Sequence, residues 1–270
     1  MIKPTVLKLG GSAITDKTAK CTPNIPVIQH VADQLSEYTG PLVLIHGGGS
    51  YAHPFVAESH LENGLRDQTQ LLSVSETEFF LGQLSRIICA SLLLRKTSCV
   101  PLHPMSMATL HDGKVKKFAI DAIQCSIRAG IVPLLHGDLV FDESKGIGIL
   151  SGDKIASMIG LELGASRVLF GCDVDGVYTA NPKSRTGAVL ISEVNSQNFR
   201  HALTASQGPS RDVTGGMGAK VREALSLAKK GHESYIFNLR ERNSLRKILA
   251  GVERVGTRFV PWSRPRRSAK

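Results

Sequence analysis

Several things are missing from this 270-residue sequence, and each absence excludes something. No run approaches the about 18 uncharged apolar residues that a membrane-crossing helix needs; the best candidate, Ile87–Leu94, is far too short. The opening Met1-Ile2-Lys3-Pro4 reaches Gly10-Gly11 too soon to read as a secretory signal, so a cytoplasmic location is expected. The cysteines (Cys21, Cys89, Cys99, Cys125 and Cys172) are odd in number and show no CxxC spacing. That argues against a disulfide framework and a structural zinc site, and leaves buried free thiols as the expectation. No GxxxxGK[ST] occurs, which excludes a P-loop enzyme, and no GxGxxG follows the first strand-like run, which disfavours a dinucleotide fold. Neither an internal repeat nor a low-complexity linker divides the chain. A single domain over residues 1–260 is therefore expected, followed by a basic, disordered tail over 261–270.

What is present is an ordinary globular composition, 42% apolar and 21% charged. The 33 Lys+Arg against 23 Asp+Glu leave a formal charge of +10, unevenly spread. Residues 239–270 hold ten Lys or Arg and two Asp or Glu, so +8 lies there and only +2 in the first 238 positions. A near-neutral body with a basic end does not call for a nucleic-acid partner, and a solvated tail is the simpler reading.

Short apolar runs alternate with amphipathic stretches, the pattern of a mostly parallel sheet covered on both faces. Strands are expected near Thr5–Leu9, Pro41–His46, Ser98–Leu102, Ile131–His136, Arg167–Gly171 and Ser234–Asn238. Helical spacing fills Pro26–Tyr38, Ser73–Lys96, Ala119–Ala129, Lys154–Leu163 and Gly218–Lys230. Asp138–Ser151 reads as a β-hairpin turning at Lys145-Gly146.

Glycine marks the strand ends: Gly10-Gly11-Ser12, Gly47-Gly48-Gly49-Ser50, Gly137 and Gly171. In open α/β sheets ligands bind beyond the carboxyl ends of the strands. A glycine-rich loop entering a helix offers unpaired N–H groups that can hold phosphate oxygens, and a Cβ there would block the approach. One such loop is most simply a tight turn; two on one edge point to phosphate. Phosphoryl transfer asks mainly for positioning and for positive charge near the migrating group. Lys8, Lys17 and Lys220 could supply it. Lys8, inside the first strand, is costly to bury without an anionic partner, whereas Lys17 and Lys220 could equally be exposed. Asp153 reads either as a helix N-cap or as a carboxylate that orients Lys8 and Lys220. Asp173, in an acidic turn, lacks the spacing of a calcium loop. His53 could donate to a phosphate oxygen. His46 and His136, at strand ends, read as structural.

The ordered set Lys8-Leu-Gly-Gly-Ser12, His46-Gly-Gly-Gly-Ser50, Ser151-Gly-Asp153, Asp173-Val-Asp-Gly-Val-Tyr178 and Asp212-Val-Thr-Gly-Gly-Met217 with Lys220 resembles the amino acid kinase superfamily over about 210 residues. Ile14-Thr-Asp-Lys17, Ser50-Tyr-Ala-His-Pro54 and Asn181-Pro-Lys183 resemble, within it, the archaeal-type isopentenyl phosphate kinases. The resemblance implies a three-layer αβα sandwich with a central, mostly parallel twisted sheet and a β-hairpin near the acceptor site. It implies ATP-dependent phosphorylation of isopentenyl phosphate to isopentenyl diphosphate in an alternative mevalonate route, by a homodimer; the lack of a long apolar run leaves no membrane partner expected. Carried over, Lys8, Leu9, Gly10, Gly11, Ser12, Gly49, Asp173, Gly216 and Lys220 serve ATP. Lys17 stabilises the transferred group, Gly48, His53 and Gly152 hold the acceptor, and Asp153 organises the lysines. Mg2+ is expected on ATP oxygens and water, with no protein ligand.

The sequence departs from that pattern at Tyr51-Ala52, where relatives carry Phe-Gly, and at Cys172, where threonine is frequent. The basic tail has no family counterpart. The five-carbon tail of the acceptor needs an apolar slot, expected along helix Ser73–Lys96 with Phe79, Phe80 and Gln83 as candidates, although each of these taken singly reads more simply as core. A fosfomycin kinase shares the same features but takes a small phosphonate without a prenyl tail. An amino-acid acceptor would leave His53 without its phosphate. A non-catalytic relative binding RNA through residues 239–270 is the reading from another class, and the intact Lys8, Lys17, Asp153 and Lys220 speak against it.

Overall fold

Along the first strand the side chains alternate between two different cores, and that alternation sets up the site. A computed structural model of the protein describes residues 3–180, 187–206, 215–252 and 255–262. The N-terminal half contributes β1 (Thr5–Leu9), β2 (Leu42–His46), β3 (Cys99–Pro101), β4 (Ala108–His111), β5 (Lys114–Phe118) and β6 (Val132–His136). The remaining strands are β7 (Asp138–Asp142), β8 (Gly146–Leu150), β9 (Arg167–Cys172), β10 (Glu193–Val194), β11 (Ser234–Asn238) and β12 (Thr257–Phe259). The helices are α1 (Gly11–Ile14), α2 (Ile25–Ser36), α3 (His53–Glu58), α4 (Leu71–Leu93), α5 (Asp121–Arg128), α6 (Gly152–Glu162), α7 (Phe199–Ala205), α8 (Gly216–Lys229) and α9 (Ser244–Leu249).

Eight strands form the central sheet in the order β10-β12-β11-β9-β1-β2-β6-β3. All of its pairs are parallel except β11 with β12. Leu7 and Leu9 of β1 pack with Leu44, Leu134 and Phe237 under α2, α4 and α9. Val6 packs the other way, with Val43, Ile45, Phe170 and Ile236 beneath α5, α6 and α8. This is the three-layer sandwich that the alternating pattern implies. A second sheet, β5-β4-β7-β8, stands beside it. Its β7–β8 hairpin is the expected one, and Gly146 takes the positive φ of +73° at the turn.

The β4–β5 hairpin and α7, α9, β10 and β12 lie outside the expected elements. These are short pieces whose periodicity is too brief to read. Trp262, placed in the tail by sequence, instead donates its backbone N–H to Ala228 O at 2.9 Å and packs its ring on Phe199. The rest of that tail, residues 263–270, lies outside the described residues, as do Asn181–Lys183 and Asp212–Thr214. Cys89, Cys99 and Cys172 are buried thiols as expected, but Cys125 is exposed and Cys21 only partly covered. Among the described residues no helix is long and apolar enough to cross a membrane.

Candidate active site

β1 and β2 run side by side with Leu9 opposite His46, so their glycine loops start from the same level of the sheet. Gly47 N–H donates to Leu9 O at 2.8 Å, and Gly10 N–H donates to Gly171 O at 2.9 Å, which draws the end of β9 in as well. A Cβ on Gly47 would come 2.7 Å from the Gly11 nitrogen. Thr15, not singled out from the sequence, stitches the two loops: its hydroxyl donates to Gly11 O at 2.8 Å and accepts from Ser50 N–H at 3.0 Å. Gly11 and Ser12 open α1, where no intrahelical carbonyl is available, and Gly48 N–H has no backbone partner among the described residues. Gly11, Ser12 and Gly48 thus line one cleft with N–H groups that have no backbone partner among the described residues.

Lys8 occupies an even position of β1, so it points with Val6 toward α6 and α8. There Asp153 waits in the first turn of α6. Lys8 Nζ lies 2.9 Å from Asp153 Oδ1, and Lys220 Nζ of α8 donates to Oδ1 at 3.0 Å and Oδ2 at 2.8 Å. All three residues are buried (Lys8 8% exposed, Lys220 6%, Asp153 4%). Two ammoniums thus share one carboxylate, leaving one net positive charge in a dry place. Burial opposes ionisation of Asp153, but Lys220 and Lys8 overcome it and hold the carboxyl well below the usual range. Burial pushes Lys8 down, against Asp153, while Lys220, held by both carboxylate oxygens, is raised. The N-cap of α6 is Ser151, whose Oγ accepts from Lys154 N–H at 3.2 Å; the capping reading of Asp153 is thereby corrected. Asp153 is free for the lysines because its neighbour caps the helix.

Asp173 accepts from Ser12 Oγ–H at 2.9 Å, and its carboxyl is held low, against burial, by that bond and by Lys17. Arg240 donates to Ser12 O at 2.6 Å, a contact no motif announced. Tyr178 O–H and Asn238 Nδ2–H both donate to Asp175, each at 2.8 Å, so that carboxylate is spent on shaping the acidic turn. Lys17 is exposed at the rim, and His53 begins α3 at the cleft's edge.

A single cleft of about 940 Å3 gathers Lys8, Gly10, Gly11, Ser12, Lys17, Gly48, Gly49, His53, Gly152, Asp153, Asp173, Gly216 and Lys220. Leu9 is the one expected contact left out. Its odd position in β1 turns it into the α2–α4 core, where it is 1% exposed. The cleft also takes in Tyr178, Thr179 and the α7 residues His201 and Thr204, which sequence reasoning missed along with that helix. Its wall further holds Val56, Thr77, Leu81, Leu139 and Ile149. α4 does line it, but through Thr77 and Leu81. Phe79 is 57% exposed and Phe80 stacks on Phe55, so the expected aromatic candidates face elsewhere. Asp138 also reaches this wall; burial and the neighbouring Glu78 hold its carboxyl well above the usual range.

Residues 3–238 match the amino acid kinase family. The chain belongs to that family. Among curated members, the isopentenyl phosphate kinase of Methanothermobacter thermautotrophicus is 33% identical over 264 residues, covering 94% of this chain and 98% of its own. That of Methanocaldococcus jannaschii is 30% identical over 262 residues, covering 92% and 95%. A solved structure of an isopentenyl phosphate kinase superposes with a TM-score of 0.83 at 30% identity, over 95% of this chain and 100% of that one. The family's sandwich fold is thus this chain's fold, and a kinase is what its cleft is built as. Among the described residues no group of three or more His, Cys, Asp or Glu could hold a metal ion.

Proposed function

We propose that the protein transfers the γ-phosphoryl group of ATP to isopentenyl phosphate, giving isopentenyl diphosphate and ADP for isoprenoid synthesis. The observation that carries this reading is that one cleft joins two kinds of lining. Glycine loops and lysines share it with Val56, Leu81, Leu139 and Ile149, of which Val56, Leu139 and Ile149 belong to one apolar cluster. A cradle for anions that continues into an apolar slot fits an acceptor that is a phosphate with a hydrocarbon tail. The archaeal relatives named above carry the same activity in their names.

In the reaction a phosphate oxygen of the acceptor forms a bond to the γ-phosphorus as the bond to the β,γ-bridging oxygen breaks. ADP leaves with the electron pair. Donor and acceptor repel, so catalysis depends on what offsets that repulsion. Lys8 and Lys220, oriented by Asp153, are assigned to the ATP phosphates together with the amides of Gly11, Ser12, Gly49 and Gly216, with Asp173 beside them; the Gly10 N–H is held by Gly171 O, so Gly10 is assigned the close backbone approach alone. Lys17, free to move at the rim, follows the migrating group. His53, Gly48 and Gly152 hold the acceptor phosphate. The donors here are N–H groups and ammoniums, which suit phosphate rather than a metal. Mg2+ is accordingly assigned to ATP oxygens and water rather than to a protein ligand; when bound it would neutralise charge on the phosphates.

We further place the enzyme in the cytoplasm as a homodimer, on its resemblance to the family. Its first and last described strands, β1 and β12, share one sheet, which supports a single domain reaching Trp262. A coupled assay of ADP release tests the function. Isopentenyl phosphate should be turned over, and fosfomycin and glutamate should not; turnover of fosfomycin alone would replace this reading with that of a phosphonate kinase.

A further inference from the structure

His46 is fully buried at the end of β2, one residue before the triple glycine. Its Nδ1 lies 3.1 Å from Gly47 O, and its Nε2 lies 2.8 Å from Ser85 Oγ of α4. A carbonyl oxygen can only accept, so the Gly47 contact assigns the ring proton to Nδ1. Nε2 is then the acceptor of the Ser85 hydroxyl, whose single proton takes this 2.8 Å partner over the Leu81 carbonyl at 3.1 Å. The His136 ring packs on the His46 ring at 5.3 Å between centroids and is itself held by His103 Nδ1 at 3.3 Å from its Nε2. The imidazole therefore has one position and one tautomer.

The consequence lies in the next peptide. In a planar trans peptide the C=O and the following N–H point in opposite directions. With Gly47 O drawn back onto His46, the N–H of Gly48 is turned away from the ring. Gly48 lines the cleft, and its N–H has no backbone partner among the described residues.

We propose that His46 is a positioning residue: it locks the Gly47–Gly48 peptide so that the Gly48 N–H stays aimed at the acceptor's phosphate. Gly48 alone would not hold this orientation, because glycine peptides flip easily. A Cβ there is excluded as well, since it would meet the Ala52 Cβ at 2.5 Å. The side chain of a neighbour is thus what fixes the amide. The identity of the anion rests on the function proposed above, whereas the peptide lock does not.

Two variants separate positioning from packing. In His46→Asn an amide N–H can take the place of Nδ1–H on Gly47 O; in His46→Gln the amide reaches the place of Nε2 and Ser85 instead. We expect the Asn variant to keep kcat/KM for isopentenyl phosphate within about threefold, and the Gln variant to raise KM for it about tenfold or more with KM for ATP little changed. Equal behaviour of the two variants, in either direction, overturns the proposal. A second readout does not depend on turnover. In protein labelled with 15N-glycine and titrated with inorganic phosphate, the Gly48 amide resonance should move in the parental protein and in His46→Asn but not in His46→Gln. If it moves alike in all three, the lock is refuted even where the kinase reading stands. If it behaves as expected while isopentenyl phosphate is not turned over, the lock stands and the substrate assignment falls.

Discussion

A Cβ added to Gly11 would lie 2.8 Å from the Cα of Gly49, so the loop that ends β1 and the loop that ends β2 touch backbone to backbone. No side chain fits between them, and Gly49 also needs its φ of +51°. Gly11→Ala should force the loops apart and disperse the amides. A loss of at least about 100-fold in kcat/KM is expected, on the scale of one lost oxyanion donor. Activity near the parental value would show that the close approach is incidental.

Asp153 separates two buried ammoniums. Asp153→Ala strips both of their counter-charge and should cost on the order of 3–5 kcal/mol, read as a lower urea midpoint. The double variant Lys8→Met, Asp153→Asn removes one cation with the anion. It should recover much of the stability while staying inactive. Recovered activity in that variant would refute the role assigned to Lys8.

Lys17 is exposed at the rim and His53 is half-buried beside it. Lys17→Ala or His53→Ala should each lower phosphorylation of the monophosphate at least about 100-fold with the melting temperature nearly unchanged. Turnover close to parental in either variant would remove that residue from the mechanism.

Burial pushes the His46 pKa from 6.5 to about 4, with His103 and Lys8 pushing the same way. Buried His136 is shifted down likewise. A histidine whose folded pKa is lowered binds its proton only after the unfolded chain has done so. Its contribution is therefore complete above pH 6.5 and is lost as the pH falls toward 4. For His46 alone the loss is on the order of 3 kcal/mol. Urea midpoints between pH 7 and 4.5 should fall steeply, and less steeply in His46→Asn. Parallel curves would contradict the assignment of a buried neutral ring.

Leu81 of α4 lines the cleft with Thr77, and its side chain reaches to 3.5 Å from where a Gly48 Cβ would lie. Leu81→Ala should improve kcat/KM for a ten-carbon isoprenoid monophosphate relative to the five-carbon one, and Leu81→Trp should raise KM for the five-carbon acceptor. An unchanged ratio in both would place the tail elsewhere.

Much of this was legible in the sequence because its chemistry is local. A glycine that must admit a neighbouring backbone, or a lysine in an apolar strand, announces itself wherever the rest of the chain lies. The meeting of Lys8, Asp153 and Lys220 was readable in outline. Which residue caps α6 was not, since Ser151 and Asp153 are equally good caps by type. Which α4 residues line the cleft is not readable from the sequence, for a geometric reason. α4 presents Thr77 and Leu81 inward, one turn apart, and a helix this apolar on several sides hides its inner face from the sequence. Thr15 and Arg240 act through contacts between distant segments, and no spacing along the chain encodes those.

The central claim is that one cleft brings a nucleotide's phosphates and a prenyl monophosphate together. The most direct measurement is 31P NMR of the protein incubated with ATP, Mg2+ and isopentenyl phosphate. The account predicts that the monophosphate resonance gives way to a pair of coupled diphosphate resonances as ADP accumulates. A monophosphate signal that persists while ATP is consumed, or with no consumption at all, would contradict it.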